Sequence, residues 1–224
     1  MASGRPAATW PASPTLACGP CSTAGIAVGD GKTVLVRKDL GLVTQVFTDA
    51  DLSAMPGKVA CGHCRYGTAG AKGWESAQPH LSMINDVIIA LAHNGTLVNF
   101  DSLRHELIGY FTQRAGRLRT GIAHTMRMIE GGYAMVLVRE NALYAFRDPH
   151  GIRPLVLGKL DDGAGWVVAS ETCALDIAGA TYVREVAPGE IIRISDDGFR
   201  SEMGCRPRTP ANCIFEHVYF SRPD

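Results

Sequence analysis

Arg147-Asp148-Pro149-His150-Gly151-Ile152-Arg153-Pro154-Leu155 breaks an otherwise apolar, strand-rich region with two prolines, one glycine and three ionised side chains. Packing alone does not account for such a stretch. Proline fixes φ and removes a backbone donor, so Pro149 and Pro154 prescribe the path of the chain, and Gly151 permits a backbone conformation that other residues resist. The segment reads as a shaped turn carrying charges, in which Arg147, Asp148 and Arg153 pair with one another in a structural role.

Upstream of this turn, residues 133–138 and 143–146 are apolar runs separated by 139–142, a hairpin pattern. Downstream, residues 154–157, 166–169 and 190–194 add further strands, with Ser170 expected to cap a short helix that Gly179 ends. Nearer the start, residues 23–28 and 33–36 flank Gly29-Asp30-Gly31-Lys32, a second hairpin signal. Residues 58–64 and 87–92 are short apolar strands, each expected to stop at polar residues. Helical spacing is confined to Leu103, Leu107 and Ile108, after a cap at Asn99 or Asp101, and to Ile122, Met126 and Ile129. Hairpins with helices grouped between them argue for an α+β protein built on antiparallel sheets.

With 224 residues and 46% apolar content the chain can bury one sizeable core. Acidic and basic residues balance at 22 each, so neither a nucleic acid nor an anionic membrane is an expected partner, and no run is apolar enough to span a bilayer. Residues 1–20 read as a poorly ordered leader, 21–204 as the folded domain, and 205–224 as a linker opening a further apolar segment. Seven cysteines lying inside strands and motifs fit a reduced, cytoplasmic setting. Cys18-x-x-Cys21 and Cys61-x-x-Cys64 have the form of a four-thiolate zinc site, although the stretch between them is long for a zinc ribbon and holds two strands. Ordinary thiols are the simpler reading.

Two strand ends carry the chemistry. His93-Asn94-Gly95-Thr96 sets a side-chain amide beside a glycine, and Asn94 Nδ2 with the Gly95 N–H can together receive one developing oxyanion. A plain Asn-Gly turn is the alternative. Gly62-His63-Cys64-Arg65-Tyr66-Gly67-Thr68-Ala69-Gly70 offers a planar cation at Arg65 for a carboxylate and a neighbouring hydroxyl at Thr68, against the alternative of a surface ion pair and a turn.

Seven blocks in order, residues 23–28, 62–70, 75–79, 93–99, 147–155, 168–172 and 213–224, resemble the glutaminase domain of glutamine phosphoribosylpyrophosphate amidotransferases, also called amidophosphoribosyltransferases, of de novo purine biosynthesis. The resemblance implies a four-layer αββα sandwich of two antiparallel sheets, the N-terminal nucleophile hydrolase fold, in an incomplete form. It implies a covalent glutaminase whose N-terminal cysteine attacks the glutamine amide with its own α-amino group as base. The ammonia then goes to a phosphoribosyltransferase domain, which is missing here, in an enzyme expected to be a homo-oligomer.

By position, Asn94 and Gly95 match the oxyanion hole and Arg65 and Thr68 match glutamine-binding residues. Cys213 resembles a ligand of the iron–sulfur cluster found in some members. No cofactor is expected in this chain alone, with Mg and, in some members, the cluster belonging to a longer enzyme. The match breaks at the start, where the family has a Cys-Gly strand, a helix and a His-Arg-Gly-Gln turn. Cys18-Gly19 is the Cys-Gly dipeptide that precedes the block at 23–28, so Cys18 is the candidate nucleophile, exposed only if residues 1–17 are removed. Residues 110–120 also lack the aspartate that holds the glutamine α-amino group in the family. The alternative is a catalytically inactive member of the same scaffold acting as a binding or assembly module.

Overall fold

The computed structural model describes residues 7–9, 22–65, 73–84, 87–99, 118–161, 163 and 165–214. Its framework is a six-stranded antiparallel sheet made from β5 (His80–Ile84), β6 (Val87–Leu97), β7 (Gly131–Arg139), β8 (Ala142–Arg147), β12 (Glu190–Ser195) and β13 (Gly198–Met203), in the order β13-β12-β8-β7-β6-β5. A four-stranded sheet contains β1 (Ala7–Thr9), β2 (Thr23–Gly29), β3 (Val34–Leu40) and β4 (Val59–Arg65), ordered β1-β4-β2-β3. A three-stranded sheet, β10-β9-β11, joins β9 (Val156–Leu160), β10 (Trp166–Ala169) and β11 (Ala180–Glu185).

Strand alternation explains how these sheets meet. On β6 and β7, Ala90, Ala92, Ala134 and Val138 face one way, and they share a core with Ala27, Val59 and Cys61 of the four-stranded sheet and with Leu157 and Val168 of the three-stranded one. Small side chains at these positions allow the facing backbones to approach closely. The alternate residues of the same strands, among them Tyr133, Met135 and Leu137, face the opposite way. There they bury Leu118, Ile122 and Met126, which fall on one face of the helix α3 (Leu118–Met128). The inner strand β8 is therefore buried on both faces along its whole length. A third core packs Ala174 and Leu175 of α4 (Thr172–Ala178) on Val156, Val167 and Ala169. Two short helices, α1 (Val43–Val46) and α2 (Asp49–Ser53), and a 3-10 turn at Trp74–Ser76 complete the described elements.

Both expected hairpins form, with β2 paired to β3 and β7 to β8 in continuous antiparallel register. Several local expectations change. Residues 7–9, within the stretch read as an unordered leader, form a parallel strand on β4, with Ala7 opposite Val59 and Thr9 opposite Cys61. The unpaired backbone along the β4 edge supplies the hydrogen-bonding partners for it. Ser170 does not cap α4: Glu171 occupies that position without a side-chain cap, while Gly179 ends the helix as expected, at φ +64°. Asn99 bonds across to the end of α3, donating from Nδ2 to the Met128 carbonyl (2.8 Å) and accepting the Glu130 N–H at Oδ1 (3.0 Å). The helix expected over Leu103 to Ile108 lies outside the described residues. Residues 205–210, read as a linker, belong to a segment docked on the 147–155 turn: Arg208 N–H donates to the Pro149 carbonyl at 2.8 Å and Ala211 N–H to the His150 carbonyl at 3.1 Å.

Candidate active site

β4 and β6 bring the two candidate segments to the same end of facing sheets. On β4, Arg65 and His63 share the inward face with Cys61 and Val59; on β6, Asn94 continues the inward series of Ala90 and Ala92. A hydrogen bond between His63 and the His93 backbone ties the strands together at that end. Arg65 Nη1 donates to Ser76 Oγ (2.8 Å), and that hydroxyl donates in turn to the Gly73 carbonyl (2.7 Å). A neutral hydroxyl thus helps to fix the direction of the guanidinium. Thr68 and Cys18 lie outside the described residues.

Contrary to expectation, β6 does not stop at Ala92 but runs through His93, Asn94 and Gly95 to Leu97, with Asn94 opposite Ala134 and Gly95 opposite Tyr133. Gly95 has φ +133°, and a Cβ there would lie 2.1 Å from the Gly132 carbonyl oxygen. Only glycine meets both conditions, so the strand passes through a backbone distortion at the place where an N–H would be offered to a substrate. The Gln78 side chain accepts the His93 N–H at 2.7 Å, holding the preceding peptide.

The Asn94 amide is gripped at both ends. Arg153 Nη2 donates to Oδ1 at 2.5 Å, and Nδ2 donates to Ser170 Oγ at 3.2 Å. Ser170 and Arg153 thus join the candidate site, although the sequence reading assigned the first to a helix cap and the second to a structural turn. Arg147 and Asp148 do have a structural role, but not by pairing with each other or with the Arg153 side chain: their partners are backbone groups and Glu185. Arg147 is almost fully buried and donates to the carbonyls of Gly151, Arg153 and Val186 and to Glu185. Asp148 is wholly buried and accepts four backbone N–H groups, those of Tyr133, His150, Ile152 and Arg153.

His63, His93 and Cys64 are neutral near pH 7. Burial, with smaller contributions from neighbouring charges, lowers His63 to about 3 and His93 to about 4, the Arg65 charge acting on both. Burial raises Cys64 to about 11, which makes it a poor nucleophile. Cys61 and Cys64 sit three apart on one strand, so their side chains leave opposite faces, an arrangement unsuited to two ligands of one zinc ion. Among the described residues, no group of three or more His, Cys, Asp or Glu is placed to hold a metal. Cys213 is half-buried, beyond the docked 208–211 segment.

The histidines make stability depend on pH with a definite sign. Their folded pKa values lie below the ordinary 6.5, so below pH 6.5 the unfolded chain takes up protons that the native state refuses. Stability is expected to be unaffected by them above pH 6.5 and to fall as pH drops from there toward 4, by at most about 1.4 kcal/mol per pH unit for each histidine. Thermal melts between pH 7 and 4.5 check this, and His93→Gln should flatten the slope. An unchanged slope in that variant contradicts a buried neutral His93.

The glutamine amidotransferase domain family matches residues 68–176. Amidophosphoribosyltransferase of Mycobacterium bovis is 46% identical over 90% of this chain and 42% of its own length, and that of Bacillus subtilis is 41% identical over 90% and 46%. Among solved structures, the glutamine phosphoribosylpyrophosphate amidotransferase of B. subtilis complexed with ADP and GMP superposes with a TM-score of 0.78 at 40% identity, covering 90% of this chain and 47% of that one. A structure described as the allosteric regulatory enzyme of purine biosynthesis gives a TM-score of 0.81 at 40% identity, covering 91% and 47%. Fold and sequence together define a glutamine amidotransferase domain. Within that class, the chain belongs to the amidophosphoribosyltransferase family. It spans less than half the length of these curated relatives.

Proposed function

We propose that this chain is the glutaminase part of an amidophosphoribosyltransferase of purine biosynthesis, releasing ammonia from glutamine for transfer to phosphoribosylpyrophosphate. One observation carries the reading: Asn94, held by Arg153 and Ser170 beside the distorted Gly95 backbone, faces the sheet end that bears Arg65. The arrangement of helix α3, two sheet layers and helix α4 supports the four-layer, N-terminal nucleophile hydrolase version of the fold.

In this reading Arg65, with Thr68, holds the carboxylate of glutamine, while Asn94 Nδ2 and the Gly95 N–H receive the carbonyl oxygen. The Cys18 thiolate attacks the side-chain carbonyl carbon, the C–N bond breaks, and ammonia leaves with a proton returned by the base. Water then cleaves the thioester to glutamate and restores the thiol. Cys18 lies five residues before Thr23, the cross-strand partner of Arg65, so covalent geometry keeps it within about 18 Å of that strand end. Phosphoribosyl transfer, Mg, a homo-oligomer and a cluster ligated through Cys213 belong to the proposal for a longer enzyme, as does a cytoplasmic location. No described helix is long and apolar enough to cross a membrane.

Glutamate formation from glutamine is the test, on the full chain and on the chain beginning at Cys18. Turnover that Cys18→Ser abolishes is the expected result. Absence of turnover from both chains favours the scaffold as a binding or assembly module instead.

A further inference from the structure

We propose that Arg153 is a positioning residue for catalysis, whose task is to fix which end of the Asn94 amide faces the substrate. This rests on reading Asn94 as an oxyanion donor. The two ends of a carboxamide have nearly the same shape and opposite hydrogen-bonding polarity, so a half-turn about its terminal torsion replaces a donor with an acceptor. An asparagine that serves an oxyanion must be prevented from making that turn. A serine hydroxyl cannot prevent it, because Ser170 Oγ can donate as readily as it accepts.

A guanidinium can. Arginine only donates, so the 2.5 Å contact from Arg153 Nη2 to Asn94 Oδ1 is compatible with one orientation of the amide and opposes the other. With Oδ1 committed to Arg153 and one Nδ2 hydrogen directed to Ser170, the second Nδ2 hydrogen is left for an oxygen in the site. The positive charge also draws electron density toward Oδ1, which strengthens the N–H groups as donors.

The turn is built to aim this side chain. The Arg153 N–H donates to Asp148 Oδ2 at 3.1 Å and its carbonyl accepts from Arg147 Nε at 2.7 Å, so the residue is held on both sides of its Cα. Asp148 is buried and Arg147 nearly so, and neither reaches Asn94 in the hydrogen bonds described above. The charged nonapeptide thus divides its labour: Arg147 and Asp148 shape the backbone, and Arg153 passes that shape to the site across 59 residues of sequence.

The test uses the full chain, with glutamine as the probe and two readouts. In steady-state hydrolysis, Arg153→Met should lower kcat by about tenfold or more, with KM changed less than about threefold, since orientation matters most when charge develops on the oxygen. Arg153→Lys should recover much of the loss, because an ammonium also only donates. In an Asn94→Ala background, Arg153→Met should add little, the mark of two residues acting through one group. Independently of turnover, the side-chain NH2 resonances of Asn94, assigned by their loss in Asn94→Ala, should shift toward those of a freely rotating amide in Arg153→Met and less so in Arg153→Lys.

An Asn94 signal unchanged in both Arg153 variants overturns the proposal even in a chain that turns over nothing. A kcat that falls with Asn94→Ala but not with Arg153→Met overturns it while the oxyanion reading stands. If Asn94→Ala leaves kcat intact, the oxyanion reading itself fails and Arg153 loses its catalytic role.

Discussion

Asn94→Ala is expected to lower glutamine hydrolysis on the order of a hundredfold or more in kcat, with a much smaller change in KM. The side chain is inward-facing, gripped by Arg153 and Ser170, and set one residue from the Gly95 N–H. Donors fixed in advance cost no reorganisation when charge appears, and removing one such donor costs about 10²–10³ in kcat. The loss should fall on kcat because the ground-state carbonyl needs the donor less than the tetrahedral intermediate does. Asn94→Asp is a stringent companion, since it keeps the shape and replaces the donating end with an acceptor carrying negative charge. Steady-state rates of glutamate formation decide the matter. A loss of less than about threefold in Asn94→Ala removes Asn94 from the chemistry.

The largest effect on stability is expected from Asp148→Ala. This carboxylate has no exposed surface, and its two oxygens accept the N–H groups of Tyr133, His150, Ile152 and Arg153 at 2.9–3.2 Å. Alanine leaves four backbone donors short of a partner in a turn whose prolines restrict rearrangement. A single buried donor without a partner costs about 1–3 kcal/mol, and the four will relax together rather than add, so a loss of about 3–5 kcal/mol is expected. That is a large part of the roughly 5–15 kcal/mol that holds a domain folded. Asp148→Asn should fall between, because its amide retains one accepting oxygen and sets a donor against N–H groups. Urea unfolding with an unchanged m-value measures the difference, and a shift below about 1 kcal/mol contradicts this account of the turn.

Much of the fold was legible because strand period and turn chemistry act locally. The 23–36 and 133–146 hairpins, the helix around Ile122 and Met126, and its counterpart ending at Gly179 all follow from alternation, 3.6-residue spacing or a special glycine. Less visible were β5 and β13, edge strands that carry exposed Leu81, Met83 and Met203 and hence a weak hydrophobic pattern. At the candidate site, Asn94, Gly95 and Arg65 stood out by residue type and setting. Arg153 and Ser170 were not, since what matters about each is a partner 59 or 76 positions away. In sequence, Arg153 is one of three charges in a turn, and Ser170 has the ordinary look of a helix cap.

The segment after β13 changes where the molecule should be cut. Regular structure ends at Met203, yet Arg208 and Ala211 still donate backbone hydrogen bonds to Pro149 and His150, and His150 Nδ1 lies 2.9 Å from the Thr209 carbonyl oxygen. The docked segment therefore extends at least to Ala211. Any fusion joint, protease site or expression boundary placed between 204 and 211 strips the outer clasp from the loop whose Arg153 bonds Asn94.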